Sequence, residues 1–145
     1  MLHSSSDELV SDAAWSISYL ADDNTRDNQQ IVAVIQARVT DMLVELLRHK
    51  DAQMVTPALR AVGNLCTGDD ASTQVVLDSG LLAAMPRLLA HPRVGIRKES
   101  LWCLSNVTGG SAEQLQAVMQ ASGVIAAVLK QLGEGEYDIQ KEATW

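Results

Sequence analysis

The sequence is poor in large aromatic side chains. Its 145 residues include no phenylalanine, three tryptophans and two tyrosines, yet 47% of them are apolar. A core must therefore be built mainly from leucine, valine, alanine, isoleucine and methionine, a set that suits the packing of helices against one another. The sequence also has only two cysteines, Cys66 and Cys103, which are not spaced as a CxxC pair. We expect both to be reduced core residues of an intracellular protein rather than parts of a disulfide framework.

Basic residues are scarce as well. The sequence has 11 lysines and arginines against 18 acidic residues, which gives a formal net charge of −7. This balance disfavours nucleic acid and anionic membranes as partners, because attraction to phosphate requires lysine and arginine. It favours a basic partner, although a mildly acidic surface also serves solubility alone. No apolar run approaches the ~20 residues needed to span a bilayer, and residues 1–6 lack the apolar centre of a signal peptide.

What the sequence does contain is a repeat. Residues 34–49 recur as residues 76–91 and, more loosely, as residues 119–134. A period of about 42 residues with helical patterning inside it indicates a stack of α-helical repeats. The functional surface of such an array is the concave face that the stack creates, so an enclosed active site is not expected.

Each unit contains three helical segments. Apolar spacing and the residues that stop it predict helices over residues 7–20, 31–37, 40–49, 53–67, 69–77, 81–91, 94–108, 112–121 and 124–132, and a last one from about residue 137. Pro57 is expected to kink its helix or to mark where the regular part begins, and Pro86 is expected to delay the start of its own helix. A turn is predicted at residues 133–135.

The predicted units divide the chain unevenly. Residues 7–22 carry a third helix without the first and second helices of its unit, and the last helix has barely begun at residue 145. Because repeat arrays normally end in polar capping units, we expect a piece of a longer array whose apolar ends allow self-association. The predicted segments are 1–6, flexible; 7–22, a partial repeat; 23–68 and 69–110, full repeats; and 111–145, a truncated repeat.

The third helices share a column of large side chains, each followed four residues later by a second side chain. Residues at i and i+4 lie on the same face of a helix, so stacking the units would turn these pairs into ladders along one surface. The pairs are Trp15 with Tyr19, Arg60 with Asn64, and Trp102 with Asn106, and Trp145 begins a fourth.

Such ladders suit an extended, positively charged peptide. A carboxamide such as that of Asn106 can donate to a backbone carbonyl and accept from a backbone N–H. Consecutive indole faces form slots for the stems and charges of lysine and arginine, and each contact contributes roughly 0.5–2 kcal/mol. A structural explanation stays open, in which the tryptophans pack between helices and the asparagines, poor mid-helix residues, bridge neighbouring helices.

Four segments, residues 12–20, 57–64, 67–70 and 98–106, closely resemble the armadillo repeats of importin-α (karyopherin-α), the adaptor family that carries nuclear localisation signals. The resemblance extends from about residue 7 to residue 145 and corresponds to the fifth through the start of the eighth repeat. It implies an all-α, armadillo-type α-solenoid, a right-handed superhelix of three-helix repeats that is present here as a partial array. It also implies a non-enzymatic protein of the cytoplasm and nucleus.

The resemblance further implies the minor site for basic nuclear localisation signal peptides or cargo proteins. Its peptide-binding residues would be Asn64, Thr73, Trp102, Ser105, Asn106, Glu142 and Trp145, with Cys66 nearby. The supporting or acidic rim residues would be Glu8, Asp12, Trp15, Tyr19, Arg60 and Asp70. Of these, Glu8 and Asp12 match acidic positions that border the family's major site. Arg60 would interrupt the tryptophan column and pair with acidic groups on a neighbouring repeat or on the ligand. Importin-β would bind only through an N-terminal segment that this sequence does not include.

No cofactor, metal ion or catalytic group is expected. His3, His49 and His91 are far apart in the sequence, and the latter two fall at the ends of second helices, where a cation suits the helix dipole. The alternative function is that of a generic armadillo scaffold for protein interactions that does not bind signal peptides. Solvent exposure of Trp102 and Asn106 distinguishes the two functions.

Overall fold

A computed structural model describes residues 4–22 and 28–145. This part of the chain consists of ten α-helices and contains no strand. The helices are α1, Ser4–Leu20; α2, Gln29–Gln36; α3, Thr40–Leu46; α4, Ala52–Leu65; α5, Asp70–Asp78; α6, Leu81–Leu89; α7, Val94–Thr108; α8, Ala112–Gln120; α9, Val124–Glu134; and α10, Tyr137–Ala143. The flexible segment expected over residues 1–6 lies partly outside the described residues, as does the expected boundary at residue 23.

The helices are stacked as repeats of three. In each repeat the second helix packs against the third, as α3 does on α4, α6 on α7 and α9 on α10. The third helices α1, α4, α7 and α10 lie side by side in this order and form one face of the array, here called the third-helix face. This arrangement confirms the predicted all-α solenoid and brings the four units of the tryptophan column into sequence along one surface.

The core is aliphatic, as the lack of phenylalanine predicted. Leucines such as Leu59, Leu65 and Leu88 are fully buried, and burying a leucine side chain contributes roughly 1.5–3 kcal/mol. Cys66 and Cys103 are buried free thiols. A hydrogen bond with Cys66 and the burial of Cys103 raise the pKa of the Cys103 thiol well above its ordinary value, so this thiol stays protonated at neutral pH.

Prolines lie inside two helices without ending them. α4 continues through Pro57, which has no N–H to bond the carbonyl of Gln53. The hydroxyl of Ser11 on α1 donates to that carbonyl instead, at 3.1 Å, and so ties two third helices together. α6 begins at Leu81 and contains Pro86, so the expectation of a later start is wrong. The buried apolar side chains of α6 outweigh the one hydrogen bond that the proline removes.

The turn predicted at residues 133–135 is wrong for its first two residues. α9 continues through Gly133 to Glu134, and Gly135 is the first residue with an extended backbone. A Cβ added at Gly133 would meet nothing within 4 Å, so packing does not require glycine there. The helix thus continues through this residue in spite of its low helical propensity.

The first helix of each full or nearly full repeat is followed by a residue in the left-handed conformation. Gly80 and Gly123 have φ values of 92° and 77°, and Arg38 has a φ of 56° at the equivalent position. Glycine adopts this conformation without steric cost, whereas an L side chain places its Cβ too close to the following carbonyl. The repeat that contains Arg38 therefore carries backbone strain that the other two avoid.

We expect Arg38→Gly to increase the free energy of unfolding by about 0.5–1 kcal/mol, because it removes this strain while adding some entropy to the unfolded chain. Gly80→Ala is the matched reverse change and is expected to lower the free energy of unfolding by about 1 kcal/mol. A Cβ at Gly80 would have only Arg48 Nη2 nearby, at 3.7 Å, so the backbone effect is isolated. Urea denaturation followed by circular dichroism measures both; a destabilised Arg38→Gly variant would contradict the strain.

His49 and His91 lie just beyond the ends of α3 and α6. Their Nδ1 atoms accept hydrogen bonds from the backbone N–H groups of Asp51, at 3.1 Å, and Arg93, at 3.0 Å. Burial, followed by the charges of nearby arginines, lowers the pKa of His91. A cation is therefore disfavoured at His91, contrary to the expectation. Arg87 supplies the charge at the end of α3, where its Nη2 atom donates to two backbone carbonyls.

Within residues 4–22 and 28–145, no helix alone is long and apolar enough to cross a membrane; α8 and α9 would qualify only as a pair, and they are bent by 82°. The bend follows the left-handed conformation of Gly123 between them. Over the same residues, no three histidine, cysteine, aspartate or glutamate side chains are grouped so that they could hold a metal ion.

Candidate functional site

The tryptophans of the predicted column lie on successive third helices in different settings. The ring of Trp15 stacks on that of Tyr19, with centroids 6.0 Å apart and planes inclined by 24°. Trp102 is half-buried and contacts the neighbouring helix α4. Trp145, two residues beyond the end of α10, is 82% exposed. The column is thus present, but its members differ in how much surface they offer to a ligand.

Gly63 makes room for Trp102. The six-membered ring of the indole lies so close to Gly63 that an added Cβ would overlap the Cζ3 atom and come within 2.9 Å of Cε3. α4 and α7 can approach each other in this way only because residue 63 has no side chain. The contact holds the indole against the backbone of the preceding repeat.

Arg60 and Glu99 surround this indole with charge. The guanidinium carbon of Arg60 lies 5.5 Å from the centroid of the Trp102 ring, within the range of a cation–π contact. Its Nη2 atom pairs with Glu99 Oε1 at 2.7 Å, across the boundary between α4 and α7. The prediction that Arg60 pairs with an acidic group on a neighbouring repeat is confirmed. Arg60, Glu99 and Trp102 are called the Trp102 cluster below.

Glu99 is missing from the predicted site, although the sequence carries a signal for it. It precedes Trp102 by three residues, and an acidic residue stands at the same offset before Trp15 and Trp145. Its Oε2 atom is buried and has no hydrogen-bond partner in the described part of the chain. Burial raises the pKa of this carboxyl in spite of the opposing charge of Arg60. The unpaired oxygen is enclosed by the protein, so a cation can meet Glu99 only at Oε1, the atom that already pairs with Arg60.

Asn64 and Asn106 bridge neighbouring repeats. The Nδ2 atom of Asn64 donates to the carbonyl of Ser18 at 2.9 Å, and that of Asn106 donates to the carbonyl of Gly63 at 3.2 Å. Asn64 is only 7% exposed, so most of its carboxamide is out of reach of a ligand. Asn106 is half-buried, and no donor among the described residues bonds its amide oxygen. The amide nitrogen of each asparagine thus has a structural role, whereas the amide oxygen of Asn106 can accept a hydrogen bond from a peptide N–H.

The smaller predicted residues lie around and beneath the same face. Thr73 is 2% exposed, and its hydroxyl donates to the carbonyl of Cys66 at 3.5 Å, so its side chain supports the face from within. Ser105 is half-buried and donates to the carbonyl of Trp102 at 2.7 Å. Asp70 is exposed in the first turn of α5. Of these three side chains, those of Ser105 and Asp70 offer surface to a ligand.

The remaining predicted residues form two groups at the two ends of the third-helix face. A groove of about 850 Å³ between α1 and α4 contains Trp15 and four acidic side chains, those of Asp7, Glu8, Asp12 and Asp51. A smaller, largely apolar cleft of about 200 Å³ between α7 and α10 includes Ser105, Glu142 and Trp145. The Trp102 cluster lies between the two, because α4 and α7 are the middle helices of the face.

Comparison with known proteins agrees with this geometry. The sequence matches the model of the Armadillo/beta-catenin-like repeat family over residues 27–67 and 69–109. It is 44% identical over 130 residues to importin subunit alpha-1a of Oryza sativa subsp. japonica, covering 89% of this chain and 24% of that protein. It is 42% identical over 138 residues to importin subunit alpha-4 of Arabidopsis thaliana, covering 94% of this chain and 25% of that protein. The chain thus spans about a quarter of the length of these relatives, and the resemblance to importin-α is confirmed.

Solved structures give the same result. A designed armadillo repeat protein in complex with the peptide (KR)4 superposes with a TM-score of 0.88 at 29% identity, covering 95% of this chain and 56% of that chain. Computationally designed armadillo repeat proteins for modular peptide recognition superpose with a TM-score of 0.87 at 26% identity, covering 94% and 56%. The relatives are import subunits and repeat scaffolds rather than enzymes, in agreement with the prediction of a non-enzymatic protein. With the family model covering more than half of its residues, the chain belongs to the armadillo/β-catenin-like repeat family.

Proposed function

We propose that this chain is part of an importin-α-like nuclear import adaptor of the cytoplasm and nucleus, and that its third-helix face binds basic nuclear localisation signal peptides. The observation that carries the proposal is the Trp102 cluster, in which a guanidinium lies over an indole and pairs with a carboxylate. The same indole and carboxylate have the chemistry to hold a lysine or arginine of a peptide. The identity to importin subunits alpha supports this function over that of other repeat proteins.

The charge of the face supports a basic ligand as well. Four carboxylates, Trp15 and one cation, that of Arg93, line the groove between α1 and α4, which leaves the groove acidic, and the chain has a net charge of −7. Such a surface attracts cationic peptides and speeds their encounter. An extended peptide advances about 3.3 Å per residue and a helix is about 10 Å across, so each repeat would meet roughly three peptide residues.

A generic armadillo scaffold is the second candidate. The cross-repeat hydrogen bonds of Asn64 and Asn106 favour it, because they hold neighbouring helices together without a peptide. In that case the tryptophans would also serve packing alone. Solvent exposure does not decide between the two candidates, because Trp102 and Asn106 are both half-buried. Affinity for basic peptides is the measurement that distinguishes them.

Self-association through the ends of the array stays a prediction. A mainly apolar cleft beside α1 and α2 is lined by Ile17, Leu20 and Val34, among others. The cleft between α7 and α10 contains Leu101 and Leu104. Burial of either surface by a second copy of the chain would favour association.

The proposal is tested by calorimetric titration of the chain with the octapeptide (KR)4 at low ionic strength. We expect measurable but weak binding that is further weakened by salt, because the contacts are charged and exposed. Trp102→Ala is expected to lower the affinity by about 5-fold, since it removes a cation–π surface. Tyr137→Ala is the matched control, because Tyr137 is 79% exposed but stands outside the column; it should leave the affinity unchanged.

Two outcomes would contradict the proposal. One is the absence of binding heat under conditions in which an intact importin-α binds the same peptide. The other is an equal loss of affinity in Trp102→Ala and Tyr137→Ala, which would indicate adsorption to an acidic surface rather than binding at the column. Either result would favour the generic scaffold.

A further inference from the structure

Arg60 occupies the place that a ligand cation would take. Its guanidinium carbon lies 5.5 Å from the centroid of the Trp102 ring, and its Nη2 atom lies 2.7 Å from Glu99 Oε1. These are the two contacts, one with a π face and one with a carboxylate, that a peptide arginine would make in the same slot. Arg60 comes from α4, whereas Trp102 and Glu99 both come from α7. The chain therefore fills its own cation slot from the neighbouring repeat.

Other contacts of the chain already cover part of the slot. The indole lies against Gly63 through its Cζ3, Cε3 and Cη2 atoms, so part of the ring is already covered by the backbone of α4. The side chain of Glu99 is 22% exposed and that of Arg60 is 46% exposed. The arginine is thus the more accessible partner and can swing into solvent, whereas the carboxylate is held in the helix boundary.

The pairing within the cluster is also incomplete. Only one oxygen of Glu99 meets Arg60, and the Oε2 atom is buried without a partner among the described residues. A single charged contact leaves a partly desolvated carboxylate poorly stabilised, which is why burial raises the pKa of Glu99 in spite of Arg60.

We propose that Arg60 acts as an internal surrogate ligand, which closes the Trp102–Glu99 slot in the empty groove and must leave before a basic side chain enters. The inference rests on the proposed function and adds a specificity-determining residue to it. The affinity for a basic peptide then depends on the difference between two free energies. One is that of the slot occupied by the tethered Arg60, and the other is that of the slot occupied by a cationic side chain of the peptide. Arg60 therefore lowers the affinity of this slot for peptides, and cationic side chains that bind only weakly do not displace it.

The test compares two variants that lose the same charge. Arg60→Gln removes the surrogate, and Lys98→Gln removes an exposed cation from the residue next to Glu99 on α7. In calorimetric titrations with (KR)4 at low ionic strength, Arg60→Gln is expected to bind about 5-fold more tightly than the unmodified chain, the range of one displaced cation–π contact. Lys98→Gln is expected to change the affinity less than about 2-fold, because its effect is a screened charge alone. Circular dichroism verifies that both variants are folded.

A second measurement follows Arg60 directly in the unmodified chain. The Nε–H resonance of Arg60 should be shifted by the ring current of Trp102 in the free protein and should move towards the value of a solvated arginine as (KR)4 saturates the site. Tighter binding by Arg60→Gln together with this movement supports the proposal. Saturable binding with an unmoved resonance, or equal affinities of the two glutamine variants, overturns it and leaves the proposed function intact. No binding by either the unmodified chain or Arg60→Gln overturns both.

Discussion

Replacing Gly63 with alanine is expected to lower the free energy of unfolding by about 1–3 kcal/mol, the usual range for overpacking a close contact. A Cβ at this position would overlap the indole of Trp102, which has the rigid edge of its six-membered ring at that point. The ring would have to move away from α4, and the hydrogen bond from Asn106 to the carbonyl of Gly63 would lengthen with it. Urea denaturation measures the stability, and titration with (KR)4 is expected to show weaker binding by the same variant.

The chain offers a matched control for this change. Gly95 lies in the first turns of α7, where a Cβ would meet nothing within 4 Å. Gly95→Ala is therefore expected to increase the free energy of unfolding by about 0.5–1 kcal/mol through helix propensity alone. If Gly63→Ala were as stable as Gly95→Ala, the close approach of α4 and α7 would not depend on glycine, and the proposed placement of the indole would be wrong.

Asn64→Ala is expected to lower the free energy of unfolding by about 1–3 kcal/mol, because it leaves a buried backbone carbonyl of Ser18 without the donor that now reaches it at 2.9 Å. Asn106→Ala should lower it less, by about 0.5–1.5 kcal/mol, since Asn106 is half-buried and its bond to Gly63 is longer, at 3.2 Å. Denaturation curves of the two variants under the same conditions measure the difference.

Peptide binding should rank the two asparagines in the opposite order. Asn106 retains an accessible amide oxygen, so its loss is expected to weaken the binding of (KR)4 more than the loss of the 7% exposed Asn64. An Asn64→Ala variant that was fully stable but unable to bind peptide would show that its carboxamide faces the ligand after all. The comparison separates the structural part of the asparagine ladder from the part that is free for a ligand.

Much of the fold could be predicted from the sequence, because residues that end helices recur at equivalent positions of successive repeats. The bounds of α7, Val94–Thr108, follow from Pro92 before it and two glycines after it. The end of α9 was harder to predict, because glycine usually disfavours a helix and α9 nevertheless continues through Gly133. Local propensity alone cannot say which of these signals prevails, since the answer depends on apolar contacts with other helices.

The site could be predicted as a column of residues but not as a set of contacts. The i, i+4 spacing of Trp102 and Asn106 indicates that the two side chains share a surface. It does not show that the indole lies on Gly63 of the preceding repeat. Likewise, the sequence suggested that Arg60 interrupts the column, whereas only the packing of α4 on α7 places it over the ring. The burial of Asn64 has the same cause, because the distance between third helices is not encoded in any one of them.

The Trp102 cluster draws one residue from α4 and two from α7, so no single repeat contains it. In a linear array, stability is approximately the sum of the intrinsic stabilities of the units and the coupling of nearest neighbours. A ligand that displaced Arg60 would contact Trp102 and Glu99 of α7, so its binding free energy would stabilise the unit that contains α7, whereas the Arg60–Glu99 pair would be lost from the coupling term. Occupancy of the cluster would then lower the cooperativity with which the two repeats unfold.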